Sequence, residues 1–418
     1  MTKSQRFGLL AVLSALGIAC SGAPQLDLSN ANGNGTGSTG SGTTSSTGTS
    51  CCGGGSGSTG TTGSGTGTTI GGGGTAVDGG AGSTGSGSTG TGGTGTGSTT
   101  PTPTPCSSTG GGGGGANGGP ADLFPCDSVW YRDVSGATVA SDSSSITSAI
   151  GAWGTGKFMI DFSIVFQHAD ASTPRHTFTV DYTDESNTDP VPVPVGGSLE
   201  GESGYTCTQG GDCHLIVVDD STHKLFEMWS VQNAAGPYQA AQLSVWDLTK
   251  HYGDQGRGLG CTSADAAGLA IMPGLIGVRE TKAGAIKHAL RFILPNAKIR
   301  KGPSFVAPAT HGTSSTSSSG GPAYGMRLRL KSSYSEASVT SPGAKALVRA
   351  LKTYGMILAD GGNYALTGED DKLEKAKDPT MTWDGLLAAG DVSGITPGDF
   401  EVLDHGAIQT TDNCTLLP

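Results

Sequence analysis

A segment of about one hundred residues near the start of the chain has too few apolar side chains to form a hydrophobic core. Residues 21–120 consist mainly of Gly, Ser and Thr, and from Ser29 to Ala121 the only charged residue is Asp78. More than half of the chain's 73 glycines precede residue 121. Such a segment cannot offset the entropy cost of ordering its backbone. We therefore expect residues 21–120 to be a disordered linker and residues 121–418 to form the globular domain.

The first twenty residues have the pattern of an export signal. Lys3 and Arg6 precede an apolar run that ends at Cys20, and the run is shorter than the roughly 20 residues that span a bilayer. This pattern resembles a bacterial lipoprotein signal peptide, which implies that residues 1–20 direct export and that Cys20 is lipidated. Ser21 after the cysteine resembles the signal for the outer membrane of a Gram-negative cell. The alternative is an ordinary secretory signal.

The charge balance of the domain restricts its partners. The chain has 24 Lys and Arg and 35 Asp and Glu residues, of which Lys3, Arg6, Asp27 and Asp78 precede residue 121. The domain therefore keeps 22 basic and 33 acidic side chains, a net charge of −11. This excess of acid argues against nucleic acid and anionic lipid as partners. We expect the membrane to be contacted only through a lipid anchor.

The cysteines of the domain indicate disulfides, because an exported chain folds in an oxidising compartment. Cys207 and Cys213 flank a turn-forming Gly-Gly loop, so we predict a bond between them. Cys126 and Cys414 lie near the two ends of the domain, where a bond would close the fold, and Cys261 has no obvious partner. The absence of a C-x-x-C pair argues against a zinc site, and no metal is predicted.

Period-two alternation of apolar residues predicts that the domain is mainly β. The predicted strands cover residues 158–166, 176–182, 214–219, 224–230, 243–248, 286–294, 326–331 and 400–403. Helices are predicted over residues 262–269, 343–358 and 383–389. Many short strands with a few inserted short helices favour a β-sandwich or jelly-roll-like single domain.

Several motifs of the domain resemble those of one protein family. They are Phe124-Pro-Cys-Asp-Ser-Val-Trp130, Thr262-Ser-Ala-Asp-Ala-Ala-Gly268, His288-Ala-Leu-Arg-Phe292, Gly325-Met-Arg-Leu-Arg-Leu-Lys331 and Tyr354-Gly-Met-Ile-Leu-Ala-Asp-Gly361. In order and spacing they are similar to a family of secreted bacterial and fungal proteins, often found in polymer-degrading organisms, for which no activity is settled. This chain has Tyr131 where Asn is common and Thr310 where Arg is common.

Three acidic residues are candidates for glycan hydrolysis, which needs one protonated and one ionised carboxyl group about 5–10 Å apart. Asp219 and Glu227 belong to a predicted hairpin that can place both on one sheet face. Asp265, in the second motif, is a further candidate catalytic residue. The alternatives are a solvated strand face for the acidic residues and a helix cap for Asp265.

Histidine and arginine offer a second chemistry. His311, in a predicted loop, is a candidate general base, and Arg327 and Arg329 are candidates to neutralise an acidic sugar, as in a polysaccharide lyase. His288 is a further candidate for substrate binding, although it shares a predicted strand face with Leu290. We expect Arg327 and Arg329 to line a cleft that Asp265 and His311 also reach.

These patterns leave three functions open. The first is a surface-tethered carbohydrate-active protein, either glycoside hydrolase or polysaccharide lyase, that acts on an extracellular polysaccharide. The second is a non-catalytic module that binds glycan or another cell-surface polymer, and the third is a structural or adhesion lipoprotein of the envelope. The sequence has no G-x-S-x-G or H-E-x-x-H motif, which argues against the common serine hydrolases and zinc proteases. It does not identify a cofactor.

Replacing Cys20 with Ala tests the lipid anchor. The wild-type chain is expected in the membrane fraction, and Cys20→Ala is expected in the soluble fraction because the acyl chains are then missing. Cell fractionation followed by immunoblotting measures the difference. Equal partition of the two proteins would leave an ordinary secretory signal as the better interpretation.

Overall fold

The computed structural model describes residues 119–208, 210–411 and 413–417. The described part of the chain is mainly β with a few short helices, as the sequence predicts. The predictions for residues 1–20, including Cys20, and for the linker up to residue 118 lie outside the described residues. The strands are β1 (Ile160–Ile164), β2 (Phe166–Ala169), β3 (Arg175–His176), β4 (Thr179–Val180), β5 (Val191–Pro192), β6 (Leu215–Asp219), β7 (Lys224–Trp229), β8 (Gln239–Ala240), β9 (Gln242–Asp247), β10 (Leu290–Leu294), β11 (Arg327–Leu330), β12 (Met356–Gly361), β13 (Leu366–Glu369) and β14 (Phe400–Val402).

Two larger sheets organise these strands. A six-stranded sheet has the order β1-β13-β10-β12-β11-β14, with parallel pairing of β1 with β13 and of β10 with β12. A four-stranded sheet has the order β2-β6-β7-β9 and contains the predicted hairpin of β6 and β7. Two-stranded pairs join β3 with β5 and β4 with β8. The chain passes directly from β1 to β2, so it leaves one large sheet and enters the other at this point.

The helices are α1 (Ser143–Ile150), α2 (Val278–Lys282), α3 (Pro342–Thr353) and α4 (Lys372–Lys377). The predicted helix over residues 343–358 is wrong at its end, because Gly355 takes a positive φ of 69° and the chain continues as β12. The helices predicted over residues 262–269 and 383–389 are loops and turns. The predicted strand over residues 286–294 begins only at Leu290. These errors share one cause, since apolar residues in short segments do not distinguish a helix from a buried strand or loop.

Apolar residues pack on both faces of the four-stranded sheet. Ile216 and Val218 belong to the main hydrophobic core, which also covers the six-stranded sheet. Leu215 and Val217 point the other way, into a second and smaller core. A strand that is buried on both faces has apolar residues at every position. Residues 215–218 show this pattern.

Disulfides join distant and neighbouring parts of the domain. Cys207 and Cys213 form the predicted bond, with a Cα–Cα distance of 5.9 Å. Cys414 is bonded to Cys261, so the bond between Cys126 and Cys414 that would have closed the fold does not form. Cys126 is also disulfide-bonded. Such bonds are typical of an oxidising, exported environment. Within the described ranges, no helix combines the length and the apolar character needed to cross a membrane.

A cluster of aromatic rings provides a test of the main core. Phe400 is 1% exposed and its ring centroid lies 5.6 Å from those of both Trp153 and Phe158. Phe400→Ala is expected to lower the free energy of unfolding by about 3–5 kcal/mol, because it removes buried apolar surface and leaves a cavity. Denaturant titration measures the change. Val195→Ala is the control, since Val195 is 93% exposed and its truncation should cost less than about 0.5 kcal/mol.

Candidate functional site

Three segments that carry sequence motifs meet at a buried arginine. Arg291, on β10, is 4% exposed on its side chain and donates from Nη2 and Nε to the two carboxylate oxygens of Asp265, at 2.7 and 2.9 Å. Nη2 also donates to Asp360 Oδ2 at 3.1 Å. A bidentate arginine–carboxylate pair of this kind is among the stronger polar contacts in proteins. We call Arg291, Asp265 and Asp360 the Arg291 centre. Its hydrogen bonds connect β10, β12 and the loop before β10.

Local backbone structure places the two aspartates. The Oγ atom of Ser263 accepts from the backbone N–H of Asp265 at 3.0 Å, and the N–H of Ala267 donates to the carbonyl of Ala359 on β12 at 2.9 Å. The pairing of β10 with β12 shifts by one residue between Leu358 and Asp360. This irregularity turns Asp360 toward the sheet face that carries Arg291, where regular alternation would have placed Ala359.

The carboxyl groups of this centre differ in their ionisation. The pKa of Asp360 lies well above its ordinary value, because burial and the neighbouring Asp265 disfavour a second negative charge. Burial alone would lower the pKa of Arg291, but Asp265 and Asp360 together raise it, so the guanidinium stays charged. The side chain of Asp360 is 24% exposed and that of Asp265 is fully buried. Asp360 is therefore the member of the pair that solvent reaches, and it is the one whose pKa burial and Asp265 raise.

Further acidic groups surround Arg291 on the side of β1. Asp161 lies on β1, half-buried, and burial raises its pKa. Glu200 accepts hydrogen bonds from His214 Nδ1 at 2.6 Å and from Ser163 Oγ at 3.0 Å, and its side chain is 19% exposed. Burial would raise the pKa of Glu200, but the charge and hydrogen bond of His214 lower it below its ordinary value. The same contact raises the pKa of His214 to about 9 against the effect of its burial.

The centre thus combines two partly exposed carboxyl groups whose pKa values are shifted in opposite directions. The pKa of Asp360 is raised and that of Glu200 is lowered, and both groups interact electrostatically with Arg291. Two carboxyl groups whose surroundings drive their pKa values apart are the usual signature of a general acid and a general base.

The predicted hairpin pair of Asp219 and Glu227 is wrong. Asp219 is opposite Lys224 in the register and Glu227 is opposite Ile216, so the two carboxylates lie on opposite faces of the sheet. Asp219 is fully buried. It accepts hydrogen bonds from Ser221 Oγ and Thr222 Oγ1 in the turn and from Arg175 Nη2. Asp219 therefore stabilises the hairpin turn and does not line a catalytic cleft.

Glu227 has a structural role in the main core. It is 0% exposed and accepts from the backbone N–H groups of Ile271 and Met272, at 2.9 and 2.8 Å, and from Trp246 Nε1 at 3.0 Å. Burial raises its pKa to about 7. These contacts satisfy the free N–H groups at the start of a 3-10 turn, and they leave no solvent-facing carboxylate for catalysis.

The predicted cleft of Arg327 and Arg329 does not exist, because the segment 129–137 covers that face of β11. Arg329 is 8% exposed and donates to Glu401 and to three backbone carbonyls of this segment. Arg327 donates to the carbonyl of Val129 at 2.9 Å, and burial beside Arg132 lowers its pKa to about 9. Asp265 pairs with Arg291 instead of either predicted arginine.

The two candidate histidines are buried and bonded. His288 is 0% exposed and contacts Glu280 Oε1 at 2.9 Å and the carbonyl of Ala289 at 2.8 Å, so it does not reach substrate. His311 is 3% exposed, and its Nδ1–H donates to the carbonyl of Ala266 at 2.7 Å. His311 thereby supports the loop that carries Asp265. Of the residues that we expected beside His311, this loop contains Asp265.

Sequence reasoning did not assign Asp360, Glu200 or Asp161 to a site. Asp360 ends a motif and Asp161 alternates with apolar residues in β1, but neither signal identifies the arginine at which they meet. Among the described residues, three ligand groups close enough for a metal occur at Glu202, Cys207 and Cys213, and the disulfide there removes both thiolates. Comparison of the chain with models of known families, with curated proteins and with solved structures finds no match.

Replacing Arg291 with Met tests the importance of the centre for stability. Arg291→Met leaves Asp265 buried without its cation, so we expect a loss of about 3–5 kcal/mol in the free energy of unfolding. Denaturant titration measures it, with Arg349→Met as control, since the side chain of Arg349 is 55% exposed and a surface pair contributes less than about 1 kcal/mol. The double variant Arg291→Met, Asp265→Leu should be more stable than the single one. A single variant as stable as wild type would contradict this role.

Proposed function

We propose that the domain is a surface-tethered glycoside hydrolase that acts on an extracellular polysaccharide. The observation that supports this function best is the pair of partly exposed carboxyl groups beside the buried Arg291, Asp360 with a raised pKa and Glu200 with a lowered one. Asp360 would act as the general acid that protonates the leaving oxygen of a glycosidic bond. Glu200 would act as the general base that activates water.

Arg291 and Asp265 position the acid in this proposal. Burial and the charge of Asp265 raise the pKa of Asp360, so Asp360 would keep its proton to a higher pH than an ordinary aspartic acid. The guanidinium of Arg291 contacts both aspartates and fixes the orientation of the carboxylic acid. His214 fixes Glu200 in a similar way through the hydrogen bond from Nδ1.

The contacts of the candidate lyase residues favour hydrolysis over elimination. A lyase needs a base and a cation that reach an acidic sugar. Arg329 and His311 are both more than nine-tenths buried, and Arg329 is held by Glu401 and backbone carbonyls. The acidic groups around Arg291 also disfavour an anionic polymer at this centre. A neutral or cationic polysaccharide is therefore the better substrate.

The location proposed for this activity is the cell surface. The disulfides are typical of an exported protein, and the pattern that ends at Cys20 supports a lipid anchor on the outer membrane.

The release of new reducing ends from a panel of polysaccharides tests the activity. Asp360→Asn keeps the size of the side chain but cannot donate the acid proton, so we expect the rate to fall about 10²–10⁴-fold. Glu200→Gln should cause a loss of similar size. Wild-type activity should fall as the pH rises through the raised pKa of Asp360, because only the protonated form is active, and this alkaline limb should be absent from Asp360→Asn.

Asp384→Asn is the matched control, because the side chain of Asp384 is 83% exposed. It should keep full activity, and thermal unfolding should show that all variants are folded. Full activity of folded Asp360→Asn would contradict the assignment of the acid. Retention on a polysaccharide without any new reducing ends would instead favour a non-catalytic binding module.

A further inference from the structure

A second polar pocket lies outside the Arg291 centre. Its volume is about 270 Å³, and it is formed by β2, α2, the end of β13 and α4. The residues that line it include Phe166, His168, Arg279, Glu280, Glu369 and Glu374. Glu369 is on the same face of β13 as Thr367, whose Oγ1 accepts from Arg291 at 3.3 Å, so the pocket and the centre are neighbours on one sheet.

Two carboxylate oxygens of the pocket have no hydrogen-bond partner among the described residues. Glu369 is 3% exposed and its Oε2 accepts from the N–H of Val278 at 2.9 Å, whereas its Oε1 has no partner. Glu280 Oε1 accepts from Gly277 and His288, whereas its Oε2 is buried without a partner. A buried acceptor without a donor is costly, so Glu280 Oε2 is a site where a ligand that donates hydrogen bonds is stabilised. Glu369 Oε1 offers a second acceptor in the same pocket.

Acidic groups also outnumber basic groups in the pocket. The charged and titratable side chains that line it are Asp122, His168, Arg279, Glu280, Glu369, Glu374 and Lys377. Arg279 and Lys377 are both paired with Glu374, and His168 is paired with Asp220. His288, which does not line the pocket, is paired with Glu280. Asp122 and Glu369 form no ion pair with a base among the described residues. The acidic surroundings therefore favour a positively charged ligand.

The chemistry of a ligand follows from this arrangement. The pocket carboxylates do not form a group of three ligand atoms close enough to hold a metal ion, as the described residues are arranged. An ammonium group, by contrast, has three donors that can reach separate acceptors. The ring of Phe166 gives the pocket an apolar wall. A volume of this size is below that of most drug-sized sites, so it suits one sugar ring.

We propose that this pocket binds the ammonium group of an amino sugar, with Glu369 Oε1 and Glu280 Oε2 as the acceptors. The inference deepens the proposed function, on which it rests, by naming a polymer with free amino groups as the substrate class. Burial, with Glu374 and Glu280 nearby, raises the pKa of Glu369 to about 8. Free Glu369 is therefore protonated near neutral pH, and an arriving ammonium group displaces its proton to solvent.

Calorimetric titration of the full chain with three monosaccharides tests the pocket. Glucosamine, N-acetylglucosamine and glucose share one ring and differ in the amine. Near pH 6, below the usual pKa of an amine, glucosamine should bind at least tenfold more tightly than the other two. Repeating the titration near pH 7 in two buffers of different ionisation enthalpy should show release of up to one proton for each glucosamine bound.

Variants of the pocket sharpen the test. Glu369→Gln keeps the shape but cannot ionise, so it should lose the tenfold preference and the proton release. Lys377→Met removes a cation from an exposed side chain and should strengthen glucosamine binding several-fold, which gives a readout even if Glu369→Gln does not fold. Glu336→Gln is the matched control, because Glu336 is partly exposed, paired with Arg349 and outside the pocket.

The outcomes separate this inference from the proposed hydrolysis. Asp360→Asn should lower the rate of hydrolysis about 10²–10⁴-fold and keep glucosamine binding, so a failure at one site leaves the other measurable. Equal affinity for the three sugars, no detectable binding of glucosamine, or an unchanged preference in Glu369→Gln would each overturn the amine site. Cleavage of polysaccharides that lack amino groups, together with no glucosamine binding, would keep the hydrolase and remove the substrate class.

Discussion

The pairing of Arg291 with Asp265 is the interaction on which the arrangement of the main core depends. Two hydrogen bonds at 2.7 and 2.9 Å fix a fully buried carboxylate to a strand in the middle of the six-stranded sheet. A buried charge without a partner costs several kcal/mol, so the loop of residues 262–269 has to stay where Arg291 can reach it. Asp360 accepts a hydrogen bond from Arg291, and Asp265 together with burial raises its pKa. The candidate chemistry is a consequence of how a buried charge is neutralised.

Other acidic residues hold the sheets together in the same manner but without reaching solvent. Glu227 extends from the four-stranded sheet and accepts backbone N–H groups of residues 271 and 272, which lead into α2. Asp219 holds a hairpin turn. The difference between these groups and Asp360 or Glu200 is partial exposure, which permits proton exchange with a substrate. Burial therefore separates structural from candidate catalytic carboxylates in this domain, although all belong to similar strands.

Local patterns predict several strands well and misplace others. The hairpin of β6 and β7 follows from two apolar segments on either side of a turn-forming one. The helix start at Pro342 follows from the Ser341 cap. The end of that helix at Thr353 does not, because residues 356–361 are apolar in a way that suits either a helix or a central strand. Only the pairing of β12 with β10 and β11 decides in favour of the strand.

The sequence by itself determined that residues 121–418 form a mainly β domain, because alternating apolar residues have one stable arrangement in a sheet. It also determined the bond between Cys207 and Cys213, since a six-residue separation across a turn keeps them close. The tertiary structure decided which acidic residues meet. Asp265, Arg291 and Asp360 are far apart in the chain, and a one-residue shift in the register of β12 turns Asp360 toward Arg291. Such a shift depends on strand pairing between distant segments, which no local pattern encodes.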